Sequence, residues 1–306
     1  MSSHRLGRMA ATFSIVARDP RADELGIAVQ SHYFSVGSAV PWARYGVGAV
    51  ATQSFVEPAY GPRGLQWLKR GTTPNDALRR LTKADAKRDV RQVGIVDVRG
   101  RTAAWTGSSC IPHAGHRIGR GYVAMGNLLA SPDVWEDMGR VFERSRGRLA
   151  DRLLASLEAG QRAGGDARGM QSSAMLIVGP GEAGKPWTER KLDLRVEDHA
   201  SPIRELGRLL RLHRAYELGD AAENLALEGN ARDAERVYAE ALILSPRNDE
   251  LLFWRAAMRM RLGDREGAMD DLRDAVALNR RWRALLARLG PDQFPAAKEA
   301  LKGLRR

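Results

Sequence analysis

The sequence predicts an α+β fold in which a four-layer αββα sandwich is followed by an all-α helical domain. Strand-like runs and pairs of helix-like segments alternate over the first two thirds of the chain, and two sheets covered by helix pairs would bury both. Beyond about residue 215, strand signals stop and a 34-residue repeat begins. A length of 306 residues favours two domains. We divide the chain into a flexible leader (1–11), a mixed domain (12–208) and a helical domain (209–306).

The first predicted element is a β-hairpin that begins at Thr12. An apolar run, TFSIVA, leads to a turn at Asp19 and Pro20, and a second run, LGIAV, returns to Gln30. Two such runs around a Pro-containing turn are typical of a hairpin with at least one buried face. The further predicted strands are GVGAVATQ, RQVGIVDVRG, RTAAWTG, residues 121–129 with a turn at Gly126 and Asn127, and MQSSAMLIVG.

Helices are predicted in two pairs between these strands. One helix start is marked by Thr73 as N-cap with Pro74 at the first helical position. The second pair ends at the break formed by Gly164 and Gly165. The helical segments cover residues 60–68, 73–81, 132–144 and 149–159.

The last third of the chain carries a repeat that resembles the tetratricopeptide repeat (TPR). Such repeats need Gly in the turn and small residues where paired helices approach closely. We expect flanking helices at residues 203–212 and 282–301 to cap the two repeats, and a generic helical bundle is the alternative. The corresponding positions, 34 residues apart, are Gly229 and Gly263, Ala234 and Ala268, Tyr238 and Leu272, Ala241 and Ala275, and Leu244 and Leu278.

Composition narrows the classes of function. No apolar run reaches the ~20 residues that a membrane helix needs, and the first residues lack the apolar segment of a signal peptide. The single cysteine, Cys110, excludes an internal disulfide and fits a cytoplasmic location. The net charge of +12 is scattered along the chain without a nucleic-acid-binding motif, so we expect neither a nucleic-acid nor a membrane partner.

Several blocks of the mixed domain resemble one family. They are TFSIVARDP, LGIAVQSHYFSVGSAVPWA, GVGAVATQS, RQVGIVDVRG, GGDARGMQSSAMLIV and DLRVEDH, which extend in order over residues 12–208. On these blocks the domain resembles the DUF1028 family, which is assigned to the N-terminal-nucleophile (Ntn) hydrolase superfamily. The resemblance implies an αββα Ntn-hydrolase-like fold, a homo-oligomer and an active site built around the residue that begins the first strand.

Thr12 is the nucleophile that this resemblance implies. A Thr hydroxyl beside its own free α-amino group combines nucleophile and base in one residue, and it could cleave an amide bond without a cofactor. The amine must first be exposed by removal of the leader, in which Ala10 and Ala11 directly precede Thr12. Asn127 is expected to donate to the oxyanion. Asp166 and Ser172 (or Ser173) are expected to tune the amine of Thr12.

Further residues are expected to contact the substrate. Gln30, Ser31 and His32 end the second strand of the hairpin, beside the position of Thr12. Glu57 is a candidate acid or positioning group, and Arg168 could bind a substrate carboxylate through two parallel hydrogen bonds.

Two other motifs are interpreted as structural. Cys110, His113 and His116 have a spacing compatible with zinc, but a fourth ligand is missing and the segment is predicted to be a loop, so we assign no metal site. The segment from Gly179 to Lys185 matches a phosphate-binding loop except that Pro186 replaces the Ser or Thr that binds magnesium. We expect an exposed loop there.

Two functions are compatible with these residues. The first is an Ntn-type amidohydrolase that cleaves a small amide or acylated amino compound through Thr12, with the TPR-like region binding a protein or peptide partner. The alternative is a non-catalytic binding module of the same fold whose repeats carry the function. An unprocessed enzyme that uses His32 with Asp166 and Arg168 is a third possibility.

Overall fold

The fold was obtained as a computed structural model that describes residues 9, 10 and 12–304. The predicted leader therefore lies mostly outside the described residues. The chain divides into two compact units, the first ending at Gly207 and the second beginning at Arg208. Antiparallel sheets occur in the first unit and helices alone make up the described part of the second, so the predicted α+β class is confirmed.

The strands of the first unit form two antiparallel sheets. In chain order they are β1 (Met9–Ala10), β2 (Thr12–Asp19), β3 (Glu24–Ser31), β4 (Pro41–Arg44), β5 (Gly48–Phe55), β6 (Arg91–Asp97), β7 (Thr102–Thr106), β8 (Gly115–Gly119), β9 (Tyr122–Asn127), β10 (Ser172–Val178) and β11 (Arg190–Val196). One sheet has the order β1-β5-β6-β7, with β4 also paired to β5. The other has the order β11-β10-β3-β2-β9-β8.

Two pairs of helices complete the four layers. They are α1 (Tyr60–Lys69), α2 (Pro74–Lys83), α3 (Val134–Arg144) and α4 (Leu149–Arg162). Helices α1 and α2 pack on the β5–β6 sheet, whereas α3 and α4 pack on the β2–β3 sheet. Because the two sheets contact each other through β2, β5, β6 and β9, the order of layers is αββα, as predicted.

The hairpin of β2 and β3 is buried on both faces because a sheet covers one side and helices cover the other. Its register pairs Thr12 with Ser31 and Asp19 with Glu24. Val16 points to the core between the sheets. Phe13 points to α4, where it lies beside Gly160. Alternation along these strands therefore decides which layer each side chain enters.

The second unit consists of α5 (Pro202–Leu227), α6 (Ala231–Leu244), α7 (Asp249–Leu262), α8 (Arg265–Leu278), α9 (Arg281–Leu286) and α10 (Ala297–Gly303). The division between the units falls within α5. Helix α8 repeats the bounds of α6 with an offset of 34 residues. Ala234, Ala241, Ala268 and Ala275 of these two helices are fully buried, as the predicted repeat requires.

Several boundaries differ from the sequence-based prediction. The helix expected at residues 203–212 continues to Leu227, and the one expected at 282–301 is divided into α9 and α10 because Gly290 and Pro291 interrupt it. Strands β1, β4 and β8 were not predicted, and β1 lies within the segment that was predicted to be a flexible leader but pairs with β5. The turn after β9 lies at Leu128, whose φ is 50°, so Gly126 and Asn127 remain in the strand.

One predicted loop and one composition argument have clear outcomes. Residues 179–185 lie outside helices and strands, and Pro186–Glu189 forms a short 3-10 helix before β11. No helix in the described part of the chain is long and apolar enough to cross a membrane.

Leu153 is the residue through which α4 packs on the sheet most directly. Its Cδ1 atom lies 2.8 Å from the point where a Cβ atom would stand at Gly26, and the side chain is fully buried. We expect Leu153→Ala to lower the free energy of unfolding by about 2–5 kcal/mol, because a cavity remains at this contact. Denaturant unfolding followed by circular dichroism measures the change. Glu158→Ala on the exposed side of α4 is the matched control and should change it by less than about 0.5 kcal/mol; equal effects would contradict this packing.

Candidate functional site

A row of four polar residues crosses the β2–β3 sheet at the start of β2. Ser172, Ser31, Thr12 and Asn127 are register partners on the adjacent strands β10, β3, β2 and β9. All four are buried. The Thr12 hydroxyl donates to the Ser31 Oγ atom at 3.1 Å. The fold thus brings together residues separated by up to 160 positions in the sequence.

The row faces a network of buried amides from the opposite sheet. The Gln53 amide nitrogen donates to the Thr12 carbonyl at 3.2 Å and to Gln92 Oε1 at 2.7 Å. The Asn127 amide nitrogen donates to the same Gln92 oxygen at 3.0 Å and lies 3.5 Å from the Thr12 carbonyl. Ser14 donates to Gln53 Oε1 at 2.7 Å. These bonds join the two sheets next to Thr12.

The network fixes the orientation of each amide because every oxygen accepts and every nitrogen donates. Gln92 is its centre: its two N–H groups face three acceptors within hydrogen-bond distance, the carbonyls of Gly115 and Gly126 and Thr106 Oγ1 at 2.9 Å. The Thr106 hydroxyl also lies 2.8 Å from His116 Nδ1. The protonation state of the His116 ring decides which of these two atoms donates the hydrogen bond.

A second cluster lies in the segment before β10. The buried Asp166 carboxylate accepts the His32 backbone N–H at 2.8 Å and the Arg168 backbone N–H at 2.9 Å. The Arg168 guanidinium donates two further bonds to it, at 3.1 and 3.0 Å. The Arg168 side chain is 28% exposed and His32 is exposed. This cluster connects the end of β3 to the beginning of β10.

Ser172 and Ser173 both support the backbone in this structure. Ser172 donates to the Tyr33 carbonyl and accepts the Val36 N–H at 3.1 Å, so it attaches the segment after β3 to β10. Ser173 donates to the Val29 carbonyl at 2.8 Å. Ser172 shares the face of Thr12, and Ser173 lies on the other face because neighbouring strand residues alternate.

Two of the expected substrate-binding residues lie apart from the Thr12 row. Gln30 pairs with Phe13 in register and shares its helix-facing side of the sheet. Among the described residues, neither polar atom of its buried amide has a hydrogen-bond partner. Glu57 lies before α1, where its carboxylate is 3.8 Å from Arg91 and accepts the Ala59 N–H at 3.2 Å.

The three potential zinc ligands each have a separate partner. Cys110 contacts the Arg91 carbonyl at 3.4 Å, and burial raises the pKa of its thiol. His113 Nδ1 lies 3.0 Å from the Leu129 carbonyl, whereas His116 bonds Thr106. Within the described residues, no group of three or more His, Cys, Asp or Glu side chains has the geometry of a metal site.

The backbone around the row is strained and crosses between sheets. Ser54 and Leu128 have φ values of 69° and 50°, which are uncommon for residues other than glycine. Ala10 pairs with Ser54 in one sheet, whereas Thr12 pairs with Ser31 in the other. The chain therefore changes sheets between positions 10 and 12, directly before the predicted nucleophile.

Comparison with known proteins places this arrangement in a family. The sequence matches the family described as "Family of unknown function (DUF1028)" over residues 12–206. The chain belongs to the DUF1028 family. The first unit is similar to the crystal structure of the DUF1028 protein SPO2555 from Silicibacter pomeroyi, with a TM-score of 0.60 and 32% sequence identity over 65% of this chain and 84% of that chain. No curated protein matches the sequence.

The sequence did not single out the residues at the centre of this network. Each of these residues lies in a strand that was predicted correctly, and each is fully or largely buried. They are Ser14, Gln53, Gln92 and Thr106. The available signal was an amide side chain within an otherwise apolar strand, as in AVATQ and RQVGIV. Most buried amide groups are hydrogen-bonded, so two such residues predict a shared network.

Replacement of Gln92 tests the network directly. We expect Gln92→Leu to lower the free energy of unfolding of the DUF1028 protein by about 3 kcal/mol, because it leaves buried N–H groups of Gln53 and Asn127 without an acceptor. Denaturant unfolding measures this change. Gln66→Leu, on the exposed side of α1, makes the same chemical change outside the network and should have little effect. A similar loss in both variants would contradict the role of Gln92.

His116 supplies a pH-dependent test. Burial lowers its pKa below the usual 6.5, so the folded state favours the neutral ring. This stability is complete above pH 6.5 and is lost as the pH falls towards the lower pKa of the folded state. We expect an NMR titration to place the His116 midpoint below 6.5, with its resonances assigned by their absence in His116→Gln. A midpoint at or above 6.5 would contradict the preference of the folded state for the neutral ring.

Proposed function

We propose that this DUF1028 protein is an Ntn-type amidohydrolase that cleaves a small amide or acylated amino compound through Thr12. The observation that carries the proposal is the position of Thr12: it begins an inner strand, its hydroxyl is buried beside Ser31, and the preceding chain belongs to the other sheet. Removal of residues 1–11 would leave the α-amino group at the edge of this polar row. The strained Ser54 and Leu128 lie at the same end, as is common at functional sites.

The proposed reaction uses the substrate, one water molecule and groups of the protein itself. The free α-amino group takes the proton of the Thr12 hydroxyl while Oγ attacks the amide carbonyl. The C–N bond then breaks, the amine leaves with that proton, and an ester to Thr12 remains. Water hydrolyses the ester by the same base, which releases the acid and restores Thr12. Ser31 is placed to hold the Thr12 side chain in one orientation through its 3.1 Å hydrogen bond.

Asn127 is the proposed donor to the oxyanion. One of its N–H groups is committed to Gln92 at 3.0 Å, whereas the contact of its nitrogen with the Thr12 carbonyl, at 3.5 Å, is long. The second N–H group can therefore turn towards a substrate oxygen at little cost, because a hydrogen bond weakens at this distance. Gln92 would keep the amide plane in place during that change.

Arg168 is proposed to bind a carboxylate of the substrate. Asp166 fixes its backbone and its guanidinium, and part of the side chain remains exposed. A planar guanidinium held in this way can present donors in a fixed direction, which favours a planar anion. His32 contributes its backbone N–H to Asp166 and its exposed ring to the same end of β3.

A second function is proposed for the helical unit. The 34-residue offset of α6 and α8 and the buried alanines at equivalent positions support TPR-like repeats. We propose that this unit binds a protein or peptide partner and that the protein forms a homo-oligomer. If the first unit lacks catalysis, the αββα scaffold would act as a binding module and the repeats would supply the function.

N-terminal processing is the experiment that tests the proposed chemistry. We expect intact mass and N-terminal sequencing of the tag-free protein to show a chain that begins at Thr12. Thr12→Ala should remain uncut and Thr12→Ser should still be processed, because only a side-chain oxygen can attack the preceding peptide bond. If Thr12→Ala is trimmed like the wild type, cleavage does not depend on this nucleophile.

A bypass variant separates processing from catalysis. In this variant a single initiator Met replaces residues 1–11, so that ordinary removal of the Met exposes the α-amino group of Thr12. We expect hydrolysis of N-acyl amino acids by the bypass chain and none by its Thr12→Ala form. Equal activity of these two chains would contradict the proposed nucleophile. An Arg168→Gln form of the bypass chain that keeps its activity but binds the substrate more weakly would support binding of the substrate carboxylate by Arg168.

A further inference from the structure

A polar cavity lies at the far end of the strand that Thr12 begins. It has a volume of about 210 Å³ and lies between the β2–β3 turn and the segment joining α3 to α4. Its lining includes Asp19, Arg21, Ser145, Arg146 and Arg152. Asp19 lies seven positions after Thr12 in β2, which corresponds to about 23 Å along a strand. The cavity is therefore separate from the proposed active site.

The charges around this cavity do not balance. Arg21, Arg146 and Arg152 contribute three guanidinium groups, and among the described lining residues Asp19 is the one carboxylate. Asp19 is already engaged, because its Oδ1 atom accepts the Arg21 backbone N–H at 2.9 Å and its Oδ2 atom lies 3.6 Å from Arg152. The lining residues therefore carry an excess of two positive charges, which favours an anion. Asp151, in the first turn of α4, lies just outside this lining, with its Oδ2 atom 3.9 Å from the Cβ position of Gly147.

Arg152 is fixed in position but incompletely paired. Its guanidinium carbon lies 4.1 Å from the centre of the Phe142 ring, and one Nη atom is 3.5 Å from the Phe142 carbonyl. The Nε atom is buried and has no hydrogen-bond partner among the described residues. Burial lowers the pKa of this arginine, and the nearby charges of Arg146 and Arg21 lower it further while Asp19 raises it. An anion in the cavity would relieve the repulsion between these arginines.

The backbone adds to the positive potential. Helix α4 begins at Leu149, two positions after the lining residue Gly147. The first turn of a helix carries a partial positive charge, which favours an anion close to it. Arg21 and Arg146 are exposed side chains at the rim, so they can close on a ligand without rearrangement of the core.

We propose that this cavity binds a phosphate-type oxyanion, either free or as the terminal group of a small phosphomonoester. Such a group carries a charge of about −1.5 to −2 at pH 7 and offers three or more acceptor oxygens. Arginine recognises these oxygens through pairs of parallel N–H donors. The occupant bridges the β2–β3 turn to the start of α4, and it stabilises that end of the sandwich when bound.

Isothermal titration calorimetry of the full-length protein tests this site. Inorganic phosphate and glycerol 3-phosphate are titrated separately at constant ionic strength. We expect saturable binding of one ion per chain, with an increase in the thermal unfolding midpoint. Tighter binding of inorganic phosphate identifies a free oxyanion as the ligand class, and tighter binding of the ester identifies a phosphomonoester.

Variants at the rim decide whether the binding belongs to this cavity. Arg21→Gln and Arg146→Gln should each weaken binding by about tenfold, the loss expected for one charge-assisted hydrogen bond. Arg162→Gln makes the same charge change at the exposed end of α4 and should leave binding unchanged. Absence of saturable binding, or equal weakening in all three variants, would overturn the proposal.

Discussion

The rest of the first unit depends on the hydrogen bonds that join its two sheets beside Thr12. Gln53, Gln92 and Asn127 bury their amides at the polar end of a largely apolar interface, where an unpaired donor or acceptor is costly. Each amide is satisfied only when β2, β5, β6 and β9 keep one mutual alignment. Apolar contacts alone would tolerate small shifts between the sheets, whereas this network does not. The position of the Thr12 hydroxyl relative to Asn127 follows from it.

The inner hairpin connects two chemically different ends of the sandwich. At its open end the row around Thr12 is neutral and almost fully enclosed, with the charged pair of Asp166 and Arg168 at its margin. At its turn, the three arginines of the cavity leave an excess of positive charge. Between these ends the strands are covered on both faces, so neither end can adjust by moving β2. Any coupling between them has to pass through the helices or the loops.

Much of the fold could be predicted because strong apolar runs and helix pairs define its layers. The short strands β4 and β8 were missed because PWAR and GHRIG lack an apolar run and form only against longer neighbours. The prediction of the site was limited by a different physical fact. Gln30 and Ser31 are adjacent in sequence, but strand alternation places them on opposite faces, so only Ser31 lies beside Thr12. Gln53 and Gln92 reach the site from the other sheet, and their approach depends on tertiary packing that no local pattern records.

The short pairing of Met9 and Ala10 with β5 has a consequence for what could bind after processing. These residues occupy the edge of β5 at Phe55 and Ser54, next to the segment that β4 covers. A cut before Thr12 would remove the covalent tie that keeps them there. The same event that creates a free amine would then expose backbone donors and acceptors of β5 a short distance from it. An extended peptide could take the vacated place as an added strand, and the released leader would be its natural competitor.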